Sequence, residues 1–193
     1  MTAFSMRCCR RISLLAALAA LWLVFDAAPA AHADGIEVRK AALAVVDDGY
    51  VLEASFGIVL TPPLEEALNK GVSLYFLLEF ELIRPRWYWF NEKIADTRQQ
   101  YRLSYNALTR QYRVGVGTLY QNFSTLEEAL DVMSRVRRRE EVEAGTLKQD
   151  STYTAALRLR LDTTQLPKPF QINALGSREW NIGTDWYRWA VGP

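Results

Sequence analysis

Cysteine and histidine are scarce in this chain of 193 residues, and all of them sit at one end. Cys8, Cys9 and the single histidine, His32, precede residue 34. The rest of the chain has no thiolate and cannot form a disulfide. It has no imidazole to activate a serine, and it lacks the nitrogen and sulfur ligands that zinc and copper prefer. No G-x-S-x-G elbow and no S-x-x-K pair occurs. Asp47-Asp48-Gly49 lacks the spacing of a calcium loop and reads as a turn. No metal ligand set, catalytic residue or cofactor is therefore expected.

Long apolar runs are also missing. The longest, Ile12 to Phe25, falls short of the roughly 20 residues of a membrane span. It follows Arg7, Arg10 and Arg11 and leads to Ala31-His32-Ala33, the pattern of a secretory signal cut before Asp34. The alternative is an uncleaved signal anchor, which would make the N-terminal segment the chain's one link to a membrane. Cys8 and Cys9 precede the apolar run, which argues against a lipoprotein. Residues 1–33 are thus expected to be a signal peptide, and 34–193 a single β-rich domain in the periplasm.

An excess of either charge is the third absence. The chain has 23 Lys and Arg against 22 Asp and Glu; without Arg7, Arg10, Arg11 and Asp26 the counts become 20 and 21. A nucleic-acid binder would carry a clear basic excess, so none is expected as a partner.

What is present is strand patterning. Ile36–Val46 and Tyr50–Leu60 read as a hairpin around Asp47-Asp48-Gly49. Thr61 as cap, Pro62 at the first position and Gly71 at the end bracket a short helix. Leu74–Arg84 sets Leu74, Phe76, Leu78, Phe80 and Leu82 on one face and Tyr75, Leu77, Glu79, Glu81 and Ile83 on the other. Arg84-Pro85 breaks the pattern, and a polar stretch runs on to Gln100. Tyr101–Tyr105 and Tyr112–Val116 form a second hairpin turning at Asn106–Arg110, which Leu119–Phe123 extends.

Ser124 with Glu127 reads as a capping box for a second helix with Leu126, Leu130, Met133 and Val136 as its buried stripe. Arg135 and Arg137 to Arg139 are expected near its C-terminal end. Tyr153–Leu161 alternates again, and Phe170–Leu175 and Trp180–Ile182 read as late strands. The expected fold is mainly β: an antiparallel β-sandwich or strongly bent sheet of seven to nine strands with two short helices. The alternative is an open α+β sheet with both helices on one face.

Several stretches are together similar to a known family. They are Arg84-Pro-Arg-Trp-Tyr-Trp-Phe90, Tyr101 to Arg113, Leu157-Arg-Leu-Arg-Leu-Asp162, Leu166-Pro-Lys-Pro-Phe170, Leu175-Gly-Ser-Arg-Glu-Trp180 and Asp185-Trp-Tyr-Arg-Trp189. The chain resembles domain-of-unknown-function family 4390, a group of exported proteobacterial proteins. The resemblance implies a periplasmic or envelope-facing domain. It supplies no activity and no catalytic residues.

Three clusters carry the functional expectations. Arg84, Arg86, Trp87, Tyr88 and Trp89, joined by Trp186 and Trp189, form a candidate binding surface, because exposed rings stack on sugars and guanidinium groups. The plainer account is rings in the core with arginines laid over them. Glu79 and Glu81 share a strand face, and Arg158 and Arg160 share another. Paired carboxylates serve glycosidases, but neighbours on one strand seldom flank a substrate bond, so cross-strand ion pairs are the simpler reading. The run Arg135–Arg139 suits anionic lipid or an acidic partner, or else is a solvated helix end offset by Glu140, Glu141 and Glu143.

The leading expectation is a non-enzymatic exported domain that binds an envelope protein or other envelope component. A carboxylate hydrolase acting on glycans and a purely structural envelope module are the alternatives. Export of the full chain should yield a product beginning at Asp34, which intact mass spectrometry measures. A membrane-bound product that keeps Met1 would instead identify an uncleaved anchor.

Overall fold

The computed structural model describes residues 35–46, 49–86, 88, 91–143, 147 and 151–192; the expected signal segment lies outside them. Among the described residues nine strands form two antiparallel sheets, accompanied by three α-helices. The fold is mainly β, with no closed barrel.

The small sheet runs β1(Gly35–Val46), β2(Gly49–Val59), β7(Arg135–Glu143). The large sheet has the order β6(Leu119–Phe123), β5(Gln111–Val116), β4(Glu92–Asn106), β3(Leu74–Arg84), β8(Tyr153–Leu161), β9(Tyr187–Val191). β3 is an interior strand, with β4 and β8 on its two sides. Its expected apolar face is fully realised: Leu74, Phe76, Leu78, Phe80 and Leu82 are each at most 2% exposed. Tyr153, Leu157 and Leu161 of β8, Leu103 of β4 and Leu52 and Phe56 of β2 belong to the same core. Burying each such aliphatic or aromatic side chain contributes about 1.5–3 kcal/mol.

Helix α1(Pro62–Asn69) adds Leu64, Ala67 and Leu68 to the core. It ends in a Schellman turn: Val72 N donates to Ala67 O, Gly71 N donates to Leu68 O, and Gly71 takes φ +91°. Thr61 occupies the N-cap position, but its hydroxyl does not cap the helix. That hydroxyl donates to Glu179 O at 2.6 Å, tying α1 to a 3-10 turn at Arg178–Trp180. Helix α2(Leu126–Ser134) buries Ala129 and Met133.

Several expectations need correction. The capping box of α2 is Thr125 with Glu128, one residue later than expected, because Ser124-Thr125 and Glu127-Glu128 satisfy the motif in either register. The helix stops at Ser134 with Arg135 as its C-cap, so Arg135 stands at the helix end as expected while Arg137–Arg139 run on as strand residues. Pairing with β2 overrides arginine's helix propensity, and Arg137 lies 3.3 Å from Glu53 across the ladder. The polar stretch before Gln100 is the first half of β4, stabilised by pairing with β3. Phe170–Leu175 belongs to helix α3(Lys168–Gly176), making three α-helices, not two. The stretch expected as a strand at Trp180–Ile182 instead ends that 3-10 turn and leads into a single bridge, Arg160 to Gly183. The last strand is β9.

The buried hydrogen bond of Thr61 gives a direct test. Thr61→Val keeps the shape and leaves the Glu179 carbonyl without its donor. The variant should lose about 1–2 kcal/mol in urea denaturation. An unchanged midpoint would mean that the tie adds nothing to stability.

Candidate functional site

Strand parity sorts the large sheet into a core face and a solvent-facing outer face. From β3, Tyr75, Leu77, Glu79, Glu81 and Ile83 point outward. The register places Arg102, Gln100, Arg98, Asp96 and Lys93 of β4 beside them, and Arg160, Arg158, Ala156 and Thr154 of β8 on the other side. β5 adds Gly115 and Arg113, β6 adds Tyr120 and Asn122, and β9 adds Arg188. Within these strands the outer face holds seven cationic side chains, Lys93 and six arginines, against three carboxylates, Glu79, Glu81 and Asp96. A nearly neutral chain thus gathers positive charge on one surface.

Glu79 is the hub of one half. Its Oε2 accepts from Arg158 Nε at 2.9 Å and from Arg160 Nε at 3.0 Å, and Arg158 Nη2 lies 2.6 Å away. Arg98 Nε is 4.0 Å from Oε1. The carboxylate is only 6% exposed. Burial pushes its pKa up, but the hydrogen bonds and charges of Arg160 and Arg158 outweigh that and hold it below the ordinary value. Arg158 also stacks on the Trp186 ring, 4.5 Å from its centroid.

Glu81 does not share these arginines. It accepts from Lys93 Nζ at 2.8 Å, and Asp96 lies 3.2 Å from the same ammonium. Hydrogen bonds to Glu81 and Asp96 raise the Lys93 pKa.

The other half has no such hub. Arg102 Nη2 donates to Ser73 Oγ at 3.0 Å and lies over the Tyr75 ring at 5.7 Å. Arg113 Nε donates to Asn122 Oδ1 at 2.9 Å and lies over the Tyr120 ring at 5.9 Å. Among the described residues neither guanidinium meets a carboxylate. Beside Arg102 opens a cavity of about 280 Å³ lined also by Tyr75, Gln100, Gly115, Gly117 and Tyr120, and Arg113 borders it through the Tyr120 ring. Gly115 is required for this packing, because a Cβ there would meet the Tyr120 ring at 2.7 Å.

The segment expected as the binding surface is divided. Arg84 and Arg86 both donate to Glu92 Oε2 at the start of β4, and Arg84 has the parity of the core face. Burial and then these two arginines act in opposite senses on Glu92, and its pKa is lowered. Tyr88 is exposed, and Trp87 and Trp89 lie outside the described residues. Trp186 and Trp189 do not share a surface. Trp186 covers Arg158 on the outer face, while Trp189 pairs with Ala155 and packs on Phe80 at 6.4 Å on the core face. Sequence reasoning missed Arg102, Arg113, Tyr75 and Tyr120 as a set. The clue was the alternation of the hairpin strands, which places Arg102 and Arg113 on one face. Among the described residues no three His, Cys, Asp or Glu side chains converge as metal ligands.

A family model described as a domain of unknown function (DUF4390) matches residues 33–190. No curated protein and no solved structure matches the chain.

The Glu79 hub sets a pH dependence. Its folded pKa lies below the ordinary value of 4.5, so its stabilisation is complete above that pH and is lost as pH falls through the folded value. Glu79→Gln should cost about 1–3 kcal/mol at neutral pH. The gap from the parent should shrink under acid, where the parent protonates too. Urea denaturation at neutral and acid pH measures it; a gap that stays constant would show that the charge is not the source.

Proposed function

The chain belongs to the domain-of-unknown-function family 4390 (DUF4390), and from that premise we propose that it is a non-enzymatic binding domain of the cell envelope whose outer sheet face takes an acidic segment of a partner protein. The observation that carries this reading is the pair Arg102 and Arg113. Each is stacked on a ring, neither meets a carboxylate among the described residues, and Arg102 lines a cavity whose wall includes Tyr120, the ring that Arg113 stacks on. Guanidinium groups held in this way are poised for carboxylates, and the tyrosine rings add apolar contact.

The same face speaks against a glycan hydrolase. A catalytic acid needs a carboxyl whose pKa is raised, whereas Glu79 is held low by two arginines and Glu81 is committed to Lys93. The export signal expected from the sequence of residues 1–33 supports an envelope partner.

Fluorescence anisotropy with labelled poly-L-glutamate tests the reading. Binding should weaken roughly tenfold or more in an Arg102→Glu/Arg113→Glu variant and should weaken with added salt. A Lys40→Glu/Arg139→Glu variant, altered on the small sheet, should bind as the parent does. Equal loss in both variants, or no binding by the folded parent, would overturn the proposal. Stronger binding to anionic phospholipid vesicles than to the polypeptide would overturn the choice of a protein partner.

A further inference from the structure

The two sheets have four outer strands, β1, β7, β6 and β9, and three of them carry the usual protection of an edge. β1 has Glu37, Arg39, Lys40 and a register shift between Val38 and Lys40. β7 is built of arginines and glutamates, and β9 contains Arg188. Charges and bulges of this kind keep an edge from pairing with other chains. β6, Leu119-Tyr-Gln-Asn-Phe123, has neither: no charged residue, no proline and an uninterrupted register with β5. Its first four residues are exposed, Leu119 at 76% and Tyr120 at 56%.

The flanks of this edge differ. On the core side Leu119 opens onto an apolar trough of about 270 Å³ that Val116, Val132 and Met133 also line, between the strand and α2. On the outer side stand Arg113 and the cavity beside Arg102. A strand added to β6 would send alternate side chains to these two surfaces.

We propose that β6 is a strand-addition site. It takes an extended segment of a partner protein whose apolar residues alternate with acidic ones, the apolar set entering the Leu119–Val132 trough and the acidic set meeting Arg113 at the near side of the basic face. The ladder supplies backbone hydrogen bonds, and the two flanks set the partner's alternation and face. This inference rests on the acidic-partner reading and adds the mode and place of binding.

The test uses the mature domain and a capped peptide of about six alternating Glu and Val residues, matched to a typical strand length. Two controls are a block peptide of the same composition and an alternating peptide with methylated backbone nitrogens. Amide hydrogen exchange should slow in Leu119–Phe123 when the alternating peptide binds. Both control peptides, and the Leu119→Lys variant, should bind roughly tenfold more weakly. Leu119 is exposed, so Leu119→Lys should keep the parent's circular dichroism and stability.

If the block and methylated peptides bind as well as the alternating one, with β6 amides unprotected and binding still lost in Arg102→Glu/Arg113→Glu, strand addition is overturned and the basic-face reading stands. If no peptide binds and poly-L-glutamate does not bind either, both are overturned. Protection at β1 or β9 in place of β6 would overturn the assignment of the edge.

Discussion

Strand β3 is paired on both sides, so its alternation dictates the two faces of the large sheet. The apolar set from Leu74 to Leu82 commits one face to the core, and that leaves Glu79 and Glu81 no place but the other. At position 79 the carboxylate lies between Arg98 on β4 and Arg158 on β8, with Arg160 close by. Three guanidinium groups this near one another would repel in the absence of that charge. Glu79 partly offsets the arginines of the β8 half of the face, whereas among the described residues Arg102 and Arg113 of the β5 half meet no carboxylate. The polarity of the candidate site therefore follows from where one acidic residue falls in one strand.

The core face has a polar exception, where β7 approaches β4. Glu140 is 3% exposed, and its Oε2 accepts from Thr97 Oγ1 at 2.7 Å. Its Oε1 accepts no hydrogen bond among the described residues, and Arg138 Nε stands 3.9 Å away. Arg138 also reaches Gln99 at 3.3 Å. A buried carboxylate is costly unless it is satisfied, so this seam is an expensive contact between the sheets. It lies on the core side of β4, behind the strand that contributes Arg98 and Arg102 to the outer face. The small sheet thus presses on β4 through directional polar contacts, which are less free to slide than apolar ones.

The elements read correctly from sequence are those in which burial imposes a clean period. β3 and β8 alternate without fault, and the core takes their apolar sets as written. The misreadings share a cause: local pattern was weak and a distant partner decided. Arg135 to Glu140 has good helix formers, yet β2 draws it into a ladder. Glu92 to Gln100 is polar on both faces, because one face meets the charged outer surface and the other the polar seam at Thr97 and Gln99. Phe170–Leu175 is apolar enough for a short strand, but Phe170 folds against Trp180, with ring centroids 5.2 Å apart, as part of a helix. For the site, the Glu79 pairings with Arg158 and Arg160 were readable because cross-strand charge pairing is a two-strand rule. Alternation puts Arg102 and Arg113 on one face, but their neighbourhood depended on the register of the β4–β5 hairpin, and the stacking of Arg113 on Tyr120 needed β6 as well.

An uncharged edge such as β6 invites a second copy of the same chain as readily as a partner. The neighbouring arginines discriminate between the two. Antiparallel pairing of β6 with β6 in one plane would set both outer faces on the same side and bring the Arg113 groups of the two copies toward each other. Among the described residues neither has a carboxylate to relieve the repulsion. The same guanidinium groups attract an acidic strand laid along that edge. A like-charge penalty for self and an opposite-charge gain for an acidic segment is selectivity by difference. It explains how a strand can lack edge charges of its own: the charge stands one strand inward, at Arg113 on β5, where it disfavours a second copy of the chain without closing the edge to a complementary segment.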